Sequence, residues 1–308
     1  MTMLKQRAVV AAKQETTEGT YETLAAADAF LAFNLQFKPG QAMHKRDPER
    51  PSLSPMPSIP GKRSATLSFG TELVGAAAAG TAPFWGKLIK PCGFAETIVA
   101  STSVTYEPAS ISIPSMSLGF WLDGKKHLLW GARGNVSLKL EGGMPGMLNW
   151  EFTGADWSEA DEALLSPTYD ATLPPVFQDA NFTIDSFAAV INLLEVNMNN
   201  TVALRPDASA SSGHKSALIT NRNEASMSFD PENDLKSIYD FLGKWQAGTL
   251  LAMSSSFGSA AGNTFAVSAP KVQFQEISLN EREGVSALSI ETLLTMDSGD
   301  DEFKIMIT

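Results

Sequence analysis

Gly134-Asn-Val-Ser-Leu-Lys-Leu140, then Glu141-Gly-Gly-Met-Pro-Gly146, then Met147-Leu-Asn-Trp-Glu-Phe152: two runs of alternating apolar and polar residues, separated by a stretch rich in Gly and Pro. Alternation with period two turns one side of a strand to a core and the other to water. The Gly and Pro residues end both runs and supply turn conformations. This segment predicts a β-hairpin over 135–152.

Reading outward, the same order of elements occurs twice. Upstream, Ser64-Ala-Thr-Leu-Ser-Phe69 alternates like a strand, and Ala82-Pro-Phe-Trp-Gly-Lys-Leu-Ile89 reads as a short helix with Pro83 in its first turn. Downstream, Glu224-Ala-Ser-Met-Ser-Phe229 echoes the strand. Leu235 to Trp245 reads as an amphipathic helix with Asp234 as its N-cap. Pro270–Ile277 and Val285–Leu293, with Asn280-Glu-Arg-Glu-Gly284 between them, read as a second hairpin over 271–293. Strand, helix, hairpin, twice over, predicts a mainly β (α+β) chain of two tandem domains, each with a flanking helix. Two unrelated α+β segments would give the same order by coincidence. The expected boundaries are 1–155 for the first domain, 156–180 for a linker carrying Pro167, Pro174 and Pro175, and 181–308 for the second. The strand-like Phe303-Lys-Ile-Met-Ile307 is expected to complete a sheet of its own chain or of a neighbour.

Composition narrows the function classes. The chain has 308 residues, 44% of them hydrophobic and 19% charged, with a net charge of −11. Tight binding to phosphate backbones needs clustered Lys and Arg, so an acidic chain argues against a nucleic-acid binder. Between Glu141 and Leu204 there is no Lys or Arg at all; a run of this kind is usually a solvated face. One cysteine, Cys92, excludes an intrachain disulfide and a cysteine-based metal cluster. The first twenty residues lack the apolar stretch of a signal peptide, and the longest apolar runs fall short of a membrane span. The expectation is a protein made in the cytoplasm, without a membrane partner.

The stretch 41–63 differs from its surroundings. Prolines at 48, 51, 55, 57 and 60 deny it helix and central strand. It reads as an extended arm for a neighbour, with Arg46, Arg50, Leu53, Met56 and Ile59 as contacts, or equally as a disordered surface loop.

A search for chemistry finds none. The three histidines, His44, His127 and His214, have no partner at metal-ligand spacing. Gly80-Thr-Ala-Pro-Phe-Trp-Gly-Lys87 superficially suggests a phosphate loop, but it has five residues between its glycines, a proline inside, and Leu88 where a hydroxyl should stand. Cys92 has no visible activating partner and reads as a packed small hydrophobe. Asp161-Glu162 and Asp300-Asp301-Glu302 lack the spaced ligands of a calcium loop. No catalytic residue and no cofactor are expected.

At this point the order of phrases resembles a family, the major tail tube proteins of long-tailed bacteriophages (siphophages), and within it those with Mu-like heads. The phrases are Val9-Val-Ala-Ala-Lys-Gln-Glu-Thr-Thr-Glu-Gly-Thr-Tyr21 leading into a strand over Ala29–Phe37, Gly61–Gly75, Ala82–Phe94, Val104–Pro108, Gly131–Leu138, Ala269–Phe274 and Asn280–Gly284. The resemblance implies β-sandwich or barrel domains that close into a ring around a DNA channel. Such rings are normally six-fold, so a chain with two tube domains needs three copies, with a hexamer as the alternative. It implies partners: further copies of the chain, a tape measure protein, a tail terminator, and DNA that passes without specific binding, in the tail of a virion. The paired hairpins are expected to build the barrel, with Glu141, Glu151, Glu276, Glu281, Glu283 and Glu291 as lumen candidates; the bland alternative is that these sit on an outer rim. Competing readings are a tail completion or baseplate protein and a carbohydrate-binding β-sandwich.

Overall fold

The computed structural model describes residues 3–308, and the chain is mainly β. Its centre is an antiparallel sheet of eight strands, in the spatial order Phe33–His44, Ile59–Glu72, Met147–Gly154, Lys125–Glu141, Leu193–Asn197, Ser226–Phe229, Val285–Thr295, Phe265–Arg282. The first four come from the first half of the chain and the last four from the second. Both quartets are wired alike: an outer strand of the quartet, the Ser64-type strand beside it, then a long hairpin whose second arm pairs with that strand. The quartets join along one seam, where Ser137–Glu141 pairs with Leu193–Asn197.

Register makes the likeness residue by residue. Leu67 faces Phe152 and Met227 faces Thr292; Phe69 faces Trp150 and Phe229 faces Ile290. Even the irregularities correspond. The hairpin partner Met116–Leu122 has a bulge between Met116 and Leu118 against Lys125–Glu141, and Leu250–Phe257 has one between Leu251 and Met253 against Phe265–Arg282.

Each long hairpin strand leaves the central sheet and enters a second layer. The first half of Lys125–Glu141 lies between Met116–Leu122 and Asp156–Asp161; Ala8–Gln14 pairs with the former. The first half of Phe265–Arg282 lies between Leu250–Phe257 and Lys304–Ile307; the latter also pairs with Ser103–Pro108 of the first half. One buried cluster fills the space between layers and runs through both halves, from Val10 to Ile307, with Trp85, Trp150, Phe152, Phe257 and Phe265 fully covered.

Several elements depart from the sequence reading. The strand expected at Ala29–Phe37 is two: Ala29–Phe30, paired to Ala8–Gln14, and Phe33–His44. The segment 41–63 is strand-paired at both ends, His44 facing Ile59, so only 45–58 is loop. Pro60 fits because the next strand begins its pairing at Ala65, leaving Pro60 on an open edge. The first helix shrinks to Gly86–Ile89, continued by a 3-10 turn over Lys90–Cys92. The second is Phe241–Gln246, capped by Asp240 and not Asp234: the Asp240 carboxylate accepts from Gly243 N at 2.8 Å. Tyr239 and Phe241 are buried while Leu235 and Ile238 stay exposed, so the amphipathic pattern marks a turn and a short helix. Asp156–Asp161, expected in the linker, is strand; it continues the first hairpin past Ala155. Lys304–Ile307 completes a sheet of its own chain.

Candidate functional site

Along the central sheet, core and solvent faces alternate cleanly. Leu67, Phe152, Val136, Leu138, Val196 and Met227 point inward and are buried. The other face carries Gln36, Lys38, Thr66, Ser68, Asn149, Glu151, Asn135, Ser137, Lys139, Glu195, Asn197, Ser226, Ser228, Glu291 and Glu276, by register and by exposure. It is a continuous strip of hydroxyls, amides and carboxylates, with Lys38 and Lys139 among them. Lys139 lies within 3.4 Å of Glu141 and 3.7 Å of Glu195.

Of the lumen candidates, Glu141, Glu151, Glu276 and Glu291 lie on this polar face. Glu151 and Glu291 occupy equivalent places, facing Ser68 and Ser228 on neighbouring strands. Glu281 has the opposite parity, and Glu283 sits with Gly284 in the two-residue turn where both φ angles are positive, 50° and 83°. Of the arm candidates, Leu53 is fully in solvent, Arg46 and Arg50 are exposed, Ile59 is half exposed, and Met56 is partly covered.

The sheet ends on two open edges. The outer side of Phe33–His44 has no strand partner, and neither has the outer side of Glu276–Arg282, among the described residues; at the base of the latter Trp245 Nε1 donates to Gln275 O at 3.0 Å. An unpaired edge is a template for another chain. Leu279, on the second edge, is 79% exposed, whereas its seam counterpart Leu138 is 3% exposed. Beside the first edge lies an open groove of about 890 Å³ lined by Phe33, Leu35, Phe37, Phe120, Leu122, His127 and Trp157. Two polar atoms of its lining, His127 Nδ1 and Trp157 Nε1, are buried without a hydrogen-bond partner.

A second cluster escaped the sequence reading. Glu15 accepts from Gly131 N (2.6 Å), Gly19 N (2.8 Å), Ser115 Oγ and Ser117 Oγ. Glu18 meets Arg133, Ser216 and Arg205. Burial raises the Glu18 carboxyl, but the hydrogen bonds from Arg133 and Ser216 and the two guanidinium charges hold it below the usual range. Ser216 belongs to the small hairpin Thr201–Pro206/His214–Asn221, so the Lys13-to-Thr20 phrase anchors a second-half hairpin on the first half. Gly19, at φ 77°, is required there: a Cβ would stand 2.1 Å from Lys215 O. The spacing of Glu15, Glu18 and Gly19 was visible in sequence, but their partners lie about 100 to 200 residues away.

Lys87, Cys92, Glu162, Asp300 and Asp301 are held in structural contacts or buried. Lys87 Nζ donates to Asp28 O at 2.7 Å, and burial lowers its pKa. The Cys92 thiol is buried and pushed up by that burial, so it stays protonated. Asp300 pairs with Arg222, and Asp301 accepts the backbone N–H groups of Asp297, Ser298 and Gly299. Glu162 accepts from Trp121 Nε1 and Lys126. Among the described residues, no cluster of three or more His, Cys, Asp or Glu side chains is placed to hold a metal ion, and no helix is long and apolar enough to cross a membrane.

No curated protein matches the chain. A family model described as phage tail tube protein matches residues 5–291, which takes in the N-terminal phrase, both open edges and the whole polar face. The chain belongs to the phage tail tube protein family.

Proposed function

We propose that this chain is the major tail tube subunit of a long-tailed phage, three copies of which close into a ring around the DNA channel. Membership of the family makes it a structural component of the tail that assembles with itself. The observation that carries the finer reading is the polar strip across eight strands, bounded by two unpaired edges. A sheet with two open edges and one hydrophilic face is satisfied when copies join edge to edge and turn that face to a water-filled lumen. Two quartets of the same wiring in one chain supply two of six quasi-equivalent positions, hence three copies.

The lumen wall in this reading carries Glu141, Glu151, Glu276 and Glu291. Carboxylates repel phosphate, and hydroxyls and amides exchange readily with water, so DNA slides without sticking. Glu281 and Glu283 sit at the hairpin tip, near a rim. The loop 45–58, with Arg46, Arg50, Leu53 and Met56 in or near solvent and Ile59 at its base, reaches the next ring. Leu53 is fully exposed in the single chain, and burying it on stacking is favourable by roughly 2 kcal/mol. Tape measure and terminator proteins would meet the lumen and the end of the tube; synthesis would be in the host cytoplasm.

The test is negative-stain electron microscopy of purified protein with mass photometry. Hollow rings or tubes and a three-copy mass are expected. Compact single chains at high concentration would sink the proposal.

A further inference from the structure

We infer that the two open edges join copies in one register, set by the seam inside the chain: Ser278 opposite Lys38, Leu279 opposite Phe37 and Asn280 opposite Gln36 of the next copy. The inference rests on the ring reading above and adds the pairing residues to it.

The seam supplies the template. Within the chain Ser137 faces Asn197, Leu138 faces Val196 and Lys139 faces Glu195. The equivalences follow from register alone. Asn135, Ser137 and Lys139 face Glu151, Asn149 and Met147. Glu276, Ser278 and Asn280 face Glu291, Ser289 and Ala287. Glu195 and Asn197 face Ser228 and Ser226, as Gln36 and Lys38 face Ser68 and Thr66. No bulge interrupts either stretch of long strand.

Two chemistries are exchanged and complementarity survives both times. At the seam an amide pair, Asn135 with Asn197 at 2.8 Å, lies beside an ion pair, Lys139 with Glu195 at 3.7 Å. Transferred to the open edges, the amide pair becomes Glu276 with Lys38, an ion pair. The ion pair becomes Asn280 with Gln36, an amide pair. A register slipped by one residue would instead set inward-facing Leu279 opposite Gln36 or Lys38, which belong to the polar face. Lys38 and Glu276 form no ion pair within the chain, among the described residues, so both are free for a neighbour.

The groove completes the fit. Leu138 and Val196 are buried at the seam, at 3% and 2% exposure. Their counterparts are exposed Leu279 and the half-buried Phe37 that lines the groove. The neighbour's Leu279 therefore enters the groove against Phe37. Glu281, next on that side of the strand, is brought to the groove that holds the unpartnered Trp157 Nε1–H and the rim residue Lys5.

The test pairs cysteines across the edge in full-length protein. Buried Cys92 does not compete. After mild oxidation of assembled rings, Ser278→Cys with Lys38→Cys should give covalent oligomers up to trimer on a denaturing gel. Ser278→Cys with Gln41→Cys, out of register, should stay monomeric. In parallel, Glu276→Lys should raise the critical concentration for ring formation roughly three- to tenfold, and adding Lys38→Glu should restore it. Rings that form but link only through the out-of-register pair, or rings indifferent to the charge exchange, overturn the register and leave the ring reading standing. Wild-type protein that forms no rings overturns both.

Discussion

Asn135 Nδ2 donates to Asn197 Oδ1 at 2.8 Å across the seam between the two halves of the chain, while Asn135 Oδ1 accepts from Asn200 N at 3.0 Å. One side chain thus clips the last strand of the first quartet to the first strand of the second. Asn135→Ala should cost about 1–2 kcal/mol, since it removes two hydrogen bonds and leaves partly buried partners. Urea unfolding of the dilute protein should show a lower midpoint with an unchanged slope. An unaltered midpoint would mean the seam is held by strand pairing alone.

Glu15 gathers four donors in a place that is 6% exposed. Removing the carboxylate strands the Gly131 and Gly19 N–H groups and two hydroxyls. Glu15→Ala is expected to destabilise by about 3 kcal/mol, and Glu15→Gln by less, because one acceptor oxygen remains. Thermal unfolding of both variants checks the order.

His127 stacks on Phe120 (4.6 Å between ring centres) and lies 5.2 Å from Phe37. Burial lowers its pKa, the Lys125 charge adds to this, and Glu159 partly opposes it. A folded-state pKa below the unfolded one means the unfolded chain takes up the proton first. The neutral ring's contribution is therefore complete above the ordinary imidazole value of 6.5 and is lost as pH falls through the lowered one. His127→Phe should lose less stability than wild type between pH 7.5 and pH 5, measured at concentrations too low for assembly. Parallel curves would rule this out.

Glu151 and Glu291 hold matching places on the polar face. Replacing both with Lys should convert the lumen wall from repelling to holding phosphate. Assembled variant tubes should retain double-stranded DNA at low salt and release it as salt rises; wild-type tubes should retain none. Retention by neither would place these carboxylates away from the channel.

Much of the fold was legible because period-two alternation is a local signal. Ser64–Phe69 and Glu224–Phe229 announced their own strands, and both hairpins carried Gly at their turns. What stayed hidden depends on distant partners. The faces on which Glu276 and Glu281 fall follow from the bulge between Phe274 and Glu276, which shifts parity within one strand. The strand Asp156–Asp161 looked like linker because its apolar content is low; Lys125 and Lys126 on the adjacent strand pair with Glu159 within it and Glu162 just past its end. The role of Glu15 needed serines about 100 residues away.

The central claim is that one chain fills two positions of a pseudo-six-fold ring. Cryo-electron microscopy of assembled tubes tests it most directly. The account predicts rings of three copies, with six similar long hairpins around the lumen and the junction between copies resembling the internal seam. Rings of six copies, or an inner wall not made of this sheet, would contradict it.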